Sequence, residues 1–215
     1  NAVAMPYQIG NYADDMEDGL TRWASAIHAE GGKVVAQLVH TGSKANPDLF
    51  QEEAEIWGPS AVTDPLTGRT PKEMTTGDIS AVVEAFGAAA ARCKRAGFDG
   101  VQLHGAHAYG INQFLSAASN RRSDEYGGDI RKRYRFLAEV LEAVRGAVGT
   151  EYPVLIKLSG NDYYEGGLTQ EESLQVGQWL AQDGIDAIEV SGGNRASYEG
   201  RVPSRPHILR ESDEG

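Results

Sequence analysis

Four short apolar runs recur along the chain, and the spacing between them limits the fold more than any other feature. They are KVVAQLV (33–39), FDGVQLH (98–104), PVLIKLS (153–159) and DAIEVSG (186–192). Each is too short for a helix and rich in residues that favour a pleated backbone, so each is expected to be a strand buried on both faces. Amphipathic helices are expected around and between them. Residues 14–30 carry Leu20, Trp23 and Ile27 at helical spacing. From Thr76, a face of Ile79, Val82, Val83, Phe86, Ala90 and Cys93 runs to a stop at Gly97. Ile130, Tyr134, Leu137, Leu141, Val144 and Val148 mark a third helix. The capping box TQEE (169–172) opens a fourth, which ends near Gly184. Segment 40–76, rich in Pro, Gly, Thr and Asp, and the stretch from strand two to residue 129 are long excursions, of the kind that are functional or disordered.

Strands alternating with helices imply a parallel sheet built from βαβ units. A doubly wound sheet and a (β/α)8 barrel both fit. The doubly wound option is normally announced by a glycine-rich phosphate turn, and no G-x-G-x-x-G occurs; GAHAYGIN has a P-loop's glycine spacing without its lysine. Polar residues gather instead at the C-terminal ends of separate strands: Gln37 and His40, His104 and His107, Lys157, and Ser191. That is how a barrel builds its site, so a partial (β/α)8 barrel is the expected fold. The 215 residues are then one partial domain, expected to be truncated at both ends, because no initiator Met opens the chain and RESDEG reads as the start of a new segment.

Within HGAHAYGINQF (104–114), His104 and His107 stand three apart with Tyr109 close behind. Taken alone, the pair fits a metal site, two structural histidines, or N–H donors for a substrate oxygen. A zinc site needs a third ligand, and no His-Glu-x-x-His helix is present. Two imidazoles converging on a carbonyl or phenolate oxygen would stabilise the charge that grows there, and the Tyr109 phenol either acts as general acid or packs its ring under the loop. Lys157 occupies a strand position where an apolar residue is expected. An unpaired ammonium there would cost several kcal/mol, so it requires a carboxylate partner or an anionic ligand. Gln37, also mid-strand, has the donor and acceptors to read a heterocycle's edge or to satisfy backbone.

A formal net charge of −11 argues against nucleic acid or an anionic membrane as partner. No apolar run approaches the ~20 residues that span a bilayer, and no charged-then-apolar leader opens the chain. Cys93 is the single cysteine, so an internal disulfide is impossible and a reducing, cytoplasmic setting is the expectation.

GFDGVQLHGAHAYGINQFLSAASNRRSDEYGGDIRKRYRF (97–136) resembles the signature of the Old Yellow Enzyme family of flavin-dependent ene-reductases. The likeness continues in VVAQLVHTG (34–42), WGPSAV with PKEMT, KLSGNDYYEGGLT (157–169) and IEVSGG (188–193), which resemble the family's third strand, the loop after it, its fifth strand and its sixth. The resemblance implies an FMN-containing (β/α)8 barrel of which this chain holds about strands three to six. Gln37 would bond the pyrimidine side of the flavin, and Lys157 would stand near its N1 and O2. His104 and His107 would hold the substrate's carbonyl oxygen, with Tyr109 as proton donor. NADH or NADPH would supply hydride, through FMN, to the C=C bond of an enone or related activated alkene. A homo-oligomer is compatible with this.

The sequence departs from the pattern at Ser159, where Asn is common, and at Arg131 and Lys132, where Glu-Asn is frequent. The strands that hold the FMN phosphate in the family are expected beyond Gly215, so these residues alone should bind FMN poorly. Alternatives stay open: a dienoyl-CoA reductase or amine dehydrogenase relative with an iron–sulfur domain, a metal-dependent hydrolase barrel using the two histidines, or a flavin-free remnant.

Overall fold

The computed structural model describes residues 8–46, 48, 55–64 and 68–193. The residues at both ends, on which the expected truncation rests, lie outside that set. A 3-10 turn (Asp14–Met16) leads into α1 (Glu17–Ala29), and β1 (Val35–Leu38) follows. The first excursion contains a 3-10 turn at Gly42–Lys44 and two short strands, β2 (Trp57–Gly58) and β3 (Lys72–Glu73). Then come α2 (Thr76–Arg95), β4 (Gly100–Gly105), α3 (Gly110–Leu115), α4 (Ile130–Val148), β5 (Val154–Ser159), α5 (Gln170–Gln182) and β6 (Ala187–Ser191).

The long elements stand where the sequence places them, and their ends have local causes. Thr75 and Asp78 close a capping box on α2, and Thr169 and Glu172 close one on α5. Asp129 caps α4 by accepting from Lys132 N–H at 3.1 Å. The four main strands are each shorter or shifted by one or two residues relative to the apolar runs, because the runs include the flanking turns. α3, β2 and β3 had no separate expectation, and each is too short to show a period.

β1, β4, β5 and β6 form one parallel sheet in that order. Strand order equals chain order, so among the described residues the winding does not reverse, as in an arc of a barrel. Alternation along the strands then splits the sheet into two unlike faces. Val101, Leu103, Val154, Ile156 and Leu158 point outward into the core, all nearly or fully buried, against α2 and α4. Each such side chain contributes roughly 1.5–3 kcal/mol of burial. Gln37, Gln102, Lys157 and Glu189 alternate with that set and point to the other face.

The excursions are pinned to this frame. Arg122 donates to the carbonyls of Pro59 (2.9 Å) and Met74 (2.6 Å) while its ion pair with Asp124 offsets its burial. Arg133, buried in α4, donates to the carbonyls of Gly128 and Leu115 and to Glu172 on α5, so one guanidinium joins three segments.

Candidate active site

His104 is the penultimate residue of β4, and the chain turns soon after. His107 and Ala108 both lie in the left-handed region, at φ of 60° and 56°. Two consecutive non-glycine residues there are strained, at about 1–3 kcal/mol each, and persist only when the surroundings hold them. Adjacent α3 side chains do so. Asn112 Oδ1 accepts the Ala108 N–H at 2.6 Å, and Gln113 Nε2 donates to the Ala108 carbonyl at 2.6 Å. Asn112 in turn donates to buried Asp162 (3.2 Å), and Gln113 exchanges bonds with Ser43, donating to its hydroxyl (2.9 Å) and accepting its N–H (3.1 Å). The turn is thus clamped from the loops after β1 and β5.

Gly110 completes the clamp. Its N–H donates to the His40 carbonyl at 2.7 Å, and a Cβ there would stand 2.7 Å from that oxygen, so only glycine permits the approach. Gly42, at φ 59°, faces the Gln113 amide so closely that a Cβ would overlap it.

The clamp gathers three rings. His104 lies 5.3 Å from His107, edge to face, and 4.9 Å from Tyr109. His107 Nε2 and Ser191 Oγ are 2.6 Å apart, which ties the turn to the end of β6. His104 Nδ1 is buried without a hydrogen-bond partner. Burial, followed by the neighbouring His107 and Lys157, lowers the His104 pKa to about 4. Burial and then Lys157 lower that of His107 as well. Both rings are therefore neutral at pH 7, each carrying a single N–H. His40, also at a strand end, is lowered to about 4, chiefly by burial. Its Nδ1 accepts the Gly42 N–H, so it braces the loop.

Below the rings, the inner face carries a ladder across all four strands. Gln37 Nε2 donates to Gln102 Oε1 (2.6 Å), Gln102 Nε2 donates to Glu189 Oε2 (2.8 Å), and Lys157 Nζ donates to Glu189 Oε1 (2.5 Å). Lys157 lies beside His104 in the β4–β5 register and beside Glu189 in the β5–β6 register. The partner required of Lys157 is thus a half-exposed carboxylate on the next strand. Gln102 and Glu189 were missed from sequence, although each stands two residues before a residue singled out, His104 and Ser191, and so shares its face. Asn112, Gln113 and Asp162 had no comparable signal. Among the described residues, no group of three His, Cys, Asp or Glu gathers as a metal-ion cluster would.

Donors from separate parallel strands, meeting at their C-terminal ends, are what related enzymes would share. Residues 1–210 match the NADH:flavin oxidoreductase / NADH oxidase family. The chain belongs to this family. Among its relatives, the NADPH dehydrogenase of Geobacillus sp. (strain WCH70) is 43% identical over 211 residues, 95% of this chain and 60% of that protein. The metal reductase of Desulforamulus reducens is 44% identical over 185 residues, 86% of this chain and 27% of that protein. The chain therefore spans about 60% of the first and 27% of the second. Morphinone reductase in complex with tetrahydroNAD superposes with a TM-score of 0.78 at 33% identity, over 88% of this chain and 57% of that one. A 2-naphthoyl-CoA reductase bound to 2-naphthoyl-CoA gives 0.80 at 31% identity, over 88% and 31%. The strand arc of this NADH:flavin oxidoreductase family member is part of a (β/α)8 barrel. No helix among its described residues is long and apolar enough to cross a membrane.

Proposed function

We propose that the chain is the flavin- and substrate-facing part of an FMN-dependent oxidoreductase that uses NADH or NADPH to reduce the C=C bond of an α,β-unsaturated carbonyl compound. The observation that carries this reading is the cluster of polar rings where the strands end, His104 lying 5.3 Å from His107 and 4.9 Å from Tyr109.

The donor set on the inner face suits FMN. Gln37 and Gln102 offer amide donors and acceptors, and Lys157 offers an ammonium, in one row across the strands. That row is the chemistry needed to bind the carbonyl and ring-nitrogen edge of a flavin. Gln37 and Lys157 are the residues assigned to it. When bound, FMN supplies the hydride, drawn from the nicotinamide, for the β-carbon of the substrate.

The chain's own residues handle the oxygen and the proton. His104 and His107 hold the carbonyl oxygen with neutral N–H groups, where negative charge develops. The Tyr109 hydroxyl gives its proton to the α-carbon. The neutral rings matter because an imidazolium would itself compete as the acid. The names of the relatives, an NADPH dehydrogenase and a morphinone reductase bound to a nicotinamide analogue, agree with this chemistry. Small-molecule enones are the expected substrates, with neither nucleic acid nor membrane as partner.

Tyr109→Phe in the full-length, FMN-loaded protein tests the assignment. Flavin bleaching by NADPH is expected to stay within about twofold of wild type, while enone-driven reoxidation slows by roughly 100-fold, the usual scale of a general acid. Enone reoxidation at the wild-type rate removes Tyr109 from the acid role. His104→Ala with His107→Ala is expected to weaken phenol binding while leaving the flavin spectrum. Loss of flavin with phenol affinity retained makes the pair scaffold residues.

A further inference from the structure

The ladder contains one group that the proposed chemistry does not use and that opposes it electrostatically. Glu189 places a carboxylate on the inner face, beside the residue meant to present a cation. The β5–β6 register puts Lys157 and Glu189 side by side, and Nζ stands 2.5 Å from Oε1. The second oxygen, Oε2, takes the Gln102 amide at 2.8 Å, and Gln102 is bonded in turn to Gln37. Both carboxylate oxygens are thus committed, one to the cation and one to the amide row.

We propose that Glu189 is a positioning residue for Lys157: it fixes the ammonium in the row of donors and offsets its charge, so that the flavin edge meets a nearly neutral pair rather than a free cation. This rests on the reading that Lys157 and Gln37 face FMN.

The Lys157 hydrogen bond, then that from Gln102, holds the Glu189 carboxyl below the usual carboxylate range, so it is ionised at neutral pH. A cation next to a flavin favours the reduced, anionic form, and a carboxylate paired with that cation reduces the effect. The pair lies on the polar inner face, apart from the apolar core on the outer one, so it can be altered without opening that core. Glu189→Gln preserves shape and an acceptor for Gln102 while leaving the Lys157 charge uncompensated.

The experiment measures the reduction potential of bound FMN, by equilibration with a reference dye, and FMN affinity in the full-length protein. Glu189→Gln is expected to move the potential positive, equivalent to the protein favouring reduced over oxidised FMN by about tenfold more than wild type does. Glu189→Asp, which keeps the charge, is expected to return it toward wild type. In a Lys157→Met background, the Glu189→Gln shift is expected to shrink. An unmoved potential in Glu189→Gln with FMN bound overturns the inference and leaves the flavin reading standing. A shift of full size in the Lys157→Met background also overturns it, since Glu189 would then act as an independent charge. A wild-type protein that binds no FMN instead overturns the underlying reading and the inference with it.

Discussion

At the scale of single residues, His104 couples stability to pH. Its pKa is lowered from 6.5 to about 4 by burial, so the folded chain refuses a proton that the unfolded chain accepts. Between pH 6.5 and about 4 the unfolded state binds more protons, and stability falls as pH drops through that window. The full shift corresponds to about 3 kcal/mol, nearly all of it lost by pH 4. His40 is lowered to about 4 as well and acts in the same direction. Urea unfolding at several pH values is expected to show a shallower acid loss for His104→Gln than for wild type, with His40 still contributing. Equal slopes would mean that His104 titrates normally in the fold. Asn112 poses a different question, because it holds the strained turn with one end and buried Asp162 with the other. Burial already raises the Asp162 pKa, against the hydrogen bonds that lower it. Asn112→Ala removes one of those bonds and frees the Ala108 N–H. A loss of about 2–3 kcal/mol in denaturant unfolding is expected, from a buried carboxylate and a half-buried N–H left short of partners.

At the scale of elements, the same residue can serve a helix and the junction beside it. Glu172 closes the capping box of α5 and is also the carboxylate partner of Arg133, whose side chain is 4% exposed. Thr169→Ala removes only the cap and is expected to cost about 1 kcal/mol. Glu172→Ala leaves a buried guanidinium without its carboxylate and is expected to cost about 3–5 kcal/mol. Thermal unfolding of the two variants checks the order, and equal losses would reduce Glu172 to a capping residue. The capping box was legible in TQEE, and helical spacing from Ile130 and Leu137 puts Arg133 on the apolar face, but nothing in the sequence names Glu172 as its partner. The long helices and the four main strands were legible for a related reason: each is long enough to show a period and ends at a local signal such as Gly97 or Gly184. α3, β2 and β3 show no such signal. They exist because the excursions are held by long-range bonds from Arg122 and Gln113, which no local window contains.

At the scale of the whole molecule, the sheet has one face built for stability and one for chemistry. Strands expected to be buried on both faces are so only on the outer one, which the apolar residues mark as core; the inner face carries the polar row instead. The inner face could be read only where a polar residue interrupted an apolar run, as at Gln37 and Lys157. Gln102 and Glu189 sit in runs that already contain other polar residues, VQLH and IEVS, and so drew no notice. Yet the four form one bonded row, which gives the inner face a cost: a hydrogen-bonded ion pair, partly desolvated, where apolar side chains could pack. Replacing such a pair with apolar residues of similar volume is often neutral or stabilising. Lys157→Met with Glu189→Met is therefore expected to leave the thermal midpoint of the flavin-free protein at or above that of wild type. FMN stabilises only the folded form that binds it, by about 2.7 kcal/mol when present at 100 times its Kd. The wild-type midpoint should then rise on adding FMN, and that of the double variant should rise much less. If the double variant instead unfolds at lower temperature without FMN and gains as much as wild type with it, the row holds the barrel together and FMN binds elsewhere.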